Sequence, residues 1–194
     1  MTSAATDKLI RQVCDRAISD IGHCYLYGGT PGIAAQACWD CSSACNYWWG
    51  YIGGQAIPGY ARGTYRGEQH GPSTLGWLGA QGTVVGSIPR DHASAGDLAV
   101  WTTHMGLCIS NTDMISAQTP SSGTQRGVID GFIPGEPLTI LRLSVIGPGG
   151  ITLPPINIQG GAELAAYTKK MAHIEQRLIW RRMQVRRTGV RPFR

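Results

Sequence analysis

The stretch Tyr25-Leu26-Tyr27-Gly28-Gly29 is followed eleven residues later by Asp40-Cys41-Ser42-Ser43, and these two segments decide the predicted fold. Residues 42–51 are predicted to be helical, with Asp40 as a suitable N-cap. Cys41 therefore lies at the start of a helix, where partial positive charge favours the thiolate, the nucleophilic form of cysteine. The backbone N–H groups there can form an oxyanion hole for acyl transfer. Cys41 is a candidate nucleophile.

Apolar runs separated by turn residues predict β-structure in the second half of the chain. Four strands are predicted, over residues 98–101, 104–109, 114–117 and 138–145. The first three form an antiparallel meander, and the last is a further strand. His104 begins the second strand and is the candidate general base for Cys41. The chain order of cysteine, histidine and a third polar residue is that of papain-like enzymes.

Two residues on the third strand are candidates for orienting the imidazole of His104. Ser116 lies twelve residues after His104, on the neighbouring strand. Gln118 is on the same side of that strand, because side chains alternate with a period of two. The pattern does not decide between Ser116 and Gln118.

The remaining elements are a first helix and a long connecting segment. Residues 5–22 place apolar side chains on one helical face. Residues 53–90 are glycine-rich and are predicted to form loops and one short helix lining a cleft. The tryptophans are predicted to lie mostly in the core. For Trp39 and Trp77 the alternative is an exposed ring that stacks on sugar rings of a substrate. Four histidines are expected to be surface or packing residues: His23, His70, His92 and His173.

Six cysteines could form disulfides, but the core is large enough to be stable without them. The start of the sequence lacks the layout of a signal peptide, which also favours reduced thiols. Free, buried thiols are therefore expected at four positions: Cys14, Cys24, Cys45 and Cys108. Cys38, Cys41 and Cys45 are spaced like metal ligands, but no fourth ligand is evident, so no metal or other cofactor is predicted.

Charge separates the C-terminal segment from the rest of the chain. Residues 1–160 have a net charge of −2, whereas residues 161–194 have +7. The predicted organisation is a domain over 1–146, a Pro/Gly-rich linker over 147–161, and a basic amphipathic helix and tail over 162–194. Basic residues are not interleaved with aromatic ones, which argues against specific nucleic-acid binding. No apolar run is long enough to span a membrane.

Four motifs in order resemble the NlpC (p-sixty) family of papain-like cell-wall peptidases. They are Tyr25-Leu26-Tyr27-Gly28-Gly29, Asp40-Cys41-Ser42, Gly96-Asp97-Leu98 and His104-Met105-Gly106-Leu107. The resemblance implies an α+β fold, with N-terminal helices packed on a central antiparallel meander. It also implies cleavage of peptidoglycan stem peptides, typically between γ-D-glutamate and a diamino acid.

The resemblance assigns roles to several positions. It implies that Cys41 is the nucleophile and His104 the base, and that Gly96-Asp97 is structural. Tyr25, Asp40 and Ser42 would line the substrate cleft, with Asp40 near the free amine of the substrate. The chain departs from the family pattern at Ser43, where glycine is usual, and at Ser116, where histidine is frequent.

The sequence leaves several functions open. The preferred hypothesis is a peptidoglycan amide hydrolase of a phage particle or lysis system, whose segment 162–194 docks to a virion or tail assembly. The expected location is the virion or tail, or the bacterial wall after release by lysis. Alternatives are a non-catalytic wall-binding or assembly module, an injected antibacterial amidase toxin, and an intracellular acyltransferase or thiol amidase. Permuted acyltransferases place histidine before cysteine, which argues against that branch. For the basic helix, packing on its own domain and attraction to a polyanion are the other interpretations.

Overall fold

The computed structural model describes residues 3–31 and 38–146. The predicted linker at 147–161 and basic helix at 162–194 lie outside these residues. The described part is α+β, as predicted, with helices packed against one antiparallel sheet. No helix in this part is both long and apolar enough to cross a membrane.

The sheet has six strands in the spatial order β1-β6-β2-β3-β4-β5. All neighbouring strands pair antiparallel, and β2 to β5 form a meander. The bounds of the strands are β1 Val85–Ile88, β2 Leu98–Val100, β3 Met105–Cys108, β4 Asp113–Thr119, β5 Gly123–Val128 and β6 Thr139–Leu143. The predicted meander is therefore confirmed, and so is the further strand over residues 138–145, which is β6 of the same sheet.

Helical segments precede the sheet and interrupt the long connection. Their bounds are α1 Ser3–Ser19, α2 Cys41–Asn46, a π-helix Tyr47–Ile52 that continues α2, α3 Thr74–Leu78 and a short 3₁₀ helix Arg90–His92. The short helix expected within residues 53–90 is thus α3. Both α1 and α2 contact β3, and α2 also contacts β4.

The apolar stripe of α1 explains why this helix packs on the sheet. Ile10, Val13, Cys14 and Ala17 recur at three- and four-residue steps and are all fully buried. The helix ends at Ser19 rather than at the predicted residue 22, since Gly22 adopts a positive φ of 88°.

The central strands β2 and β3 are buried along their whole length. This explains why they read as continuous apolar runs rather than as alternating patterns. Part of their covering is a cluster that includes Trp101, Met114 and Ile140, with Phe132 and Leu138 packed against it. The segment between β5 and β6 therefore contributes to the core.

A buried ion pair supports the turn that leads into β2. Asp97 accepts hydrogen bonds from Nε and Nη2 of Arg142, both at 2.8 Å, and from the backbone N–H of Ser94 at 2.7 Å. Asp97 and Arg142 are both buried. These contacts give Gly96-Asp97 the structural place that the sequence predicted, joining β6 to the turn before β2.

Two strands were not predicted, and they lie at the two edges of the sheet. β1 falls in the glycine-rich segment, and its side chains are only partly buried. β5 reads Gly-Thr-Gln-Arg-Gly-Val, which combines two glycines with polar residues. Edge strands need less apolar character than central strands, so their hydrophobic signal is weak.

One expectation about the cysteines is wrong. Cys24 is not a free buried thiol but forms a disulfide with Cys38, and this bond closes a loop of 14 residues. The sequence pattern could not reveal the pairing, because it depends on how the chain segments meet in the folded state. Cys14, Cys41, Cys45 and Cys108 are free and buried. Cys38 is thus unavailable as a metal ligand.

Candidate active site

Asp40 caps the helix that begins at Cys41. Its Oδ1 accepts hydrogen bonds from the backbone N–H groups of Ser42 at 3.1 Å and Ser43 at 2.9 Å. Oγ of Ser43 accepts a hydrogen bond from the backbone N–H of Asp40 at 3.0 Å, which completes a capping box. Ser43, a departure from the family pattern, therefore has a local role in starting α2.

Ser42 is directed towards Asp40 rather than away from it. Its hydroxyl donates a hydrogen bond to Oδ1 of Asp40 at 3.0 Å, and the residue is buried. Ser42 thus helps to hold the carboxylate, and its contact with a substrate stays a prediction.

Cys41 is the first residue of α2 and only 8% exposed. Burial, and secondarily the charge of Asp40, raise the pKa of its thiol to about 11. The backbone N–H of Met105 favours the thiolate and opposes this shift. The start of the helix therefore does not produce a thiolate at neutral pH, contrary to the sequence-based expectation. The packing of α2 on β3 places the helix that begins at Cys41 beside the strand that directly follows His104.

His104 lies directly before β3 and is 7% exposed. Its ring stacks on Phe132, with centroids 5.0 Å apart and planes at 27°, and Trp101 lies 6.1 Å away. Burial lowers the pKa of His104 to about 4, against the opposing charges of Glu136 and Asp40. The imidazole is therefore neutral at neutral pH and can accept a proton.

The turn that precedes His104 is tied to Glu136. Oε2 of this glutamate accepts from the hydroxyl of Thr102 at 2.7 Å, and Oε1 accepts from the hydroxyl of Thr103 at 2.6 Å. Hydrogen bonds from Thr103 and Thr102 lower the pKa of Glu136. The backbone N–H of Trp101 donates to the carbonyl of His104 at 2.8 Å and closes the same turn.

The structure places Ser116 on β4 next to Gly106 of β3, and its side chain makes no hydrogen bond with His104. A Cβ atom added to Gly106 would lie 3.0 Å from the Cβ atom of Ser116. Gly106 is two positions after His104 in the chain. Within the described residues, Nε2 of His104 and Oγ of Ser116 are both buried and both lack a hydrogen-bonding partner. Buried polar groups in this condition are uncommon.

Gln118 lies on the same strand but in a more open position. Its side chain is half-buried, and its Nε2 is 3.3 Å from where a Cβ atom on Gly127 would lie. The ring of Phe132 packs over the same glycine. Gln118 and Phe132 thus both approach Gly127, and the role of Gln118 as orienting residue stays a prediction.

Tyr25 and the residues after it form one wall beside Cys41. The backbone N–H of Leu26 donates to the carbonyl of Trp39 at 3.0 Å, and that of Gly28 donates to Oδ2 of Asp40 at 3.0 Å. Burial raises the pKa of Tyr25, and nearby Cys41 and Asp40 add to this shift. The predicted cleft residues Tyr25 and Asp40 therefore lie together with Cys41.

Sequence reasoning missed His70. Its Nε2 lies 2.7 Å from Oδ2 of Asp40, although the two residues are 30 positions apart. Burial raises the pKa of Asp40, but hydrogen bonds from Ser43 and His70 outweigh this, and the pKa lies below its usual range. His70 sits in a glycine-rich segment without periodic pattern, so no sequence signal marked it.

The tryptophans proposed as sugar-stacking surfaces are buried instead. Nε1 of Trp39 donates to Oγ1 of Thr124 at 2.8 Å, and Nε1 of Trp77 donates to Oδ1 of Asn46 at 2.8 Å. Neither ring presents a face to solvent. Among residues 3–31 and 38–146, no three His, Cys, Asp or Glu side chains are grouped so as to hold a metal ion.

Comparisons with known proteins agree with this fold. A sequence model described as the NlpC/P60 family matches residues 22–139, more than half of the chain. The structure is similar to the peptidoglycan hydrolase RipB from Mycobacterium tuberculosis, at 18% identity and a TM-score of 0.52, over 73% of this chain and 68% of RipB. It is also similar to the P60 domain of an antigen of M. avium subspecies paratuberculosis, at 20% identity and a TM-score of 0.52, over 71% of this chain and 96% of that domain. A search of curated protein sequences finds no match.

Proposed function

Because this chain belongs to the NlpC/P60 family, we propose that it is a peptidoglycan hydrolase in which Cys41 is the nucleophile and His104 the general base. RipB, which shares its fold, is a peptidoglycan hydrolase. The observation that carries the proposal is the packing of α2, which begins at Cys41, against β3, which directly follows His104. The bond we propose is the amide between γ-D-glutamate and a diamino acid in the stem peptide.

The proposed reaction starts from an uncharged pair, because Cys41 retains its proton at neutral pH and His104 is a neutral imidazole with one unprotonated nitrogen. The proton passes from Sγ to the imidazole as sulfur attacks the carbonyl carbon. His104 then gives this proton to the amine nitrogen, the C–N bond breaks, and a thioester remains. Water attacks the thioester and gives one proton to His104, which returns it to Sγ as the C–S bond breaks and the acid leaves.

Backbone groups close to the sulfur support the charged intermediate. The N–H groups of Met105, Ser42 and Cys41 all lie near Sγ and favour negative charge there. Ser42 also donates its N–H to Asp40. We therefore assign the tetrahedral oxyanion to the N–H groups of Cys41 and Met105.

The orientation of the His104 imidazole needs a third group. Nε2 of His104 and Oγ of Ser116 are buried on neighbouring strands and lack partners in the described chain. A water molecule that bridges them would satisfy both groups and hold the imidazole, so we assign the third role to Ser116 acting through water. Gln118 remains the alternative.

Nε2 of His104 has no hydrogen-bonding partner within the described residues, and this favours a second candidate, a non-catalytic module that binds the wall. Without such a partner the imidazole is less firmly oriented and is therefore a less effective general base. In this case the wild-type protein would bind sacculi and release nothing.

Digestion of purified sacculi separates the two candidates. Wild-type protein and Cys45→Ala should release fragments with new amine termini, identified by mass, and Cys41→Ala should release none. Cys45 is a matched control because it is a buried cysteine of the same helix. Absence of new termini with wild-type protein would reject hydrolysis, and activity in Cys41→Ala would reject the mechanism.

We further propose that the protein acts at the bacterial wall as part of a phage particle or lysis system. The charge of +7 over residues 161–194 supports this, since a basic segment suits docking to an acidic assembly surface. A chain truncated after Gly160 should lose association with the particle. Association equal to that of the full chain would contradict the docking role.

A further inference from the structure

His70 makes a short contact with the carboxylate that begins the nucleophile helix. The distance from its Nε2 to Oδ2 of Asp40 is 2.7 Å, and its Nδ1 lies 3.2 Å from the carbonyl oxygen of Gly71. The backbone of His70 is also held, because Nδ2 of Asn46 donates to its carbonyl at 2.8 Å. The side chain therefore approaches Asp40 from a fixed position.

Both ring nitrogens of His70 face groups that can only accept a hydrogen bond. The carbonyl of Gly71 has no proton, and Asp40 is a carboxylate with a pKa below its usual range. Only the doubly protonated ring can donate to both. Burial lowers the pKa of His70, but the contacts with Asp40 and Gly71 outweigh it and raise the pKa above its usual value.

The charge of Asp40 bears on the Cys41 thiol. After burial, it is the largest factor that disfavours the thiolate. A cation at 2.7 Å from the carboxylate offsets this charge. The His70 side chain is 32% exposed, so solvent screens part of the effect.

We propose that His70 is a positioning residue that, as an imidazolium, holds Asp40 and offsets its negative charge beside the Cys41 thiol. The titratable groups that feel the charge of Asp40 at this arrangement are, besides His70, the thiols of Cys41 and Cys45, the imidazole of His104, and the hydroxyls of Tyr25 and Tyr65. Asp40 is the group whose charge acts directly on His70. A catalytic meaning for this device rests on the proposed function.

The rate at which iodoacetamide alkylates Cys41 tests the proposal without a substrate. Peptide mass locates the label, and the buried Cys14, Cys45 and Cys108 serve as internal references. Three variants are compared with wild-type protein. His70→Gln keeps a hydrogen-bond donor towards Asp40 without the charge, His70→Ala removes both, and His92→Gln makes the same change at an exposed histidine.

The expected result depends on pH. His70 is protonated below its raised pKa, so its benefit is present at low pH and is lost as pH rises through that pKa. At about pH 6, alkylation of His70→Gln should be about fivefold slower than that of wild type, and the two rates should converge by about pH 9. His92→Gln should follow the wild-type profile throughout.

Two results would overturn the proposal. One is a His70→Gln profile equal to that of wild type with only His70→Ala slower, since the hydrogen bond rather than the charge would then matter. The other is a constant offset at every pH, which indicates a purely structural role. If the variants do not fold, ¹⁵N NMR of the wild-type ring decides, because a neutral His70 tautomer at about pH 6.5 contradicts the proposal.

The alkylation and sacculus experiments fail independently. Wild-type protein that leaves sacculi intact but shows the expected alkylation profiles would reject the hydrolase function and retain the effect of His70 on the thiol. Active protein with unchanged profiles in His70→Gln would reject the role of His70 alone.

Discussion

Phe132 lies nearly parallel to the imidazole of His104, with ring centroids 5.0 Å apart. Phe132 therefore packs against one face of the buried imidazole. It also keeps water away, and burial is the main cause of the low pKa of His104, about 4. Phe132 comes from the segment between β5 and β6, which therefore contributes to the site as well as to the core.

Replacement of Phe132 by alanine should move the acid limb of activity to higher pH. Exposure of the ring to water raises the pKa of His104 towards its usual value, and a protonated His104 cannot accept the thiol proton. At about pH 5 the rate should fall about fourfold beyond any loss seen at about pH 8. The rate of sacculus digestion between about pH 5 and pH 8 measures this shift, with Val128→Ala, a change at an exposed residue, as the control. An equal loss at both pH values would contradict this explanation.

Ser116→Ala should separate stability from activity. The change removes a hydroxyl that has no hydrogen-bonding partner within the described chain and that we connect to His104 only through water, so the free energy of unfolding should change by no more than about 1 kcal/mol. The rate on sacculi should nevertheless fall about tenfold, because the water-mediated hold on His104 is lost. Urea unfolding and the sacculus assay measure the two quantities. Gln118→Ala is the comparison, and a larger loss in that variant would assign the third role to Gln118.

Two arginine substitutions should differ greatly in their effect on stability. Arg142→Met leaves the carboxylate of Asp97 buried without its cation and should lower the free energy of unfolding by about 3–5 kcal/mol. Arg126→Met removes a pair with Asp113 in which the arginine is 49% exposed, and should cost about 0–1 kcal/mol. Urea unfolding of both variants tests this. Similar losses in the two variants would mean that the ion pair of Asp97 and Arg142 contributes no more to stability than a solvent-exposed pair.

Reduction of the Cys24–Cys38 disulfide should lower the free energy of unfolding by about 3 kcal/mol. The bond closes a loop of 14 residues and so restricts the unfolded chain. Urea unfolding with and without dithiothreitol gives the difference. The variant Cys24→Ser should unfold like the reduced protein and should not respond to the reductant. A response of that variant would show that dithiothreitol acts elsewhere.

Local signals explain which parts of the fold and site were predictable. The capping residue Asp40 marks the start of α2, and short apolar runs between turns mark β2, β3 and β4. These signals depend on neighbours in sequence, and therefore they located Cys41 at the start of α2 and His104 within one residue of the start of β3. The meeting of Cys41 with the start of β3 followed from the family resemblance rather than from any local pattern.

Features that arise only from tertiary contacts were not predictable. His70 reaches Asp40 across 30 residues, and Cys24 meets Cys38 only because the chain brings residue 39 alongside residue 25. The thiol of Cys41 was expected to be acidic, since a helix start is visible in sequence whereas the degree of burial is not. Desolvation outweighs the local effect at this site.

Asn46 of α2 makes hydrogen bonds with residues 70–77 of the long connection between α2 and β1, but residues 61–64 of the same connection are exposed. Its amide nitrogen donates to the carbonyls of His70 and Pro72, both at 2.8 Å, while its oxygen accepts from Trp77. Insertions and deletions should therefore be tolerated at 61–64 but not at 70–77, and amide hydrogens around Trp77 should exchange with solvent only when α2 itself opens.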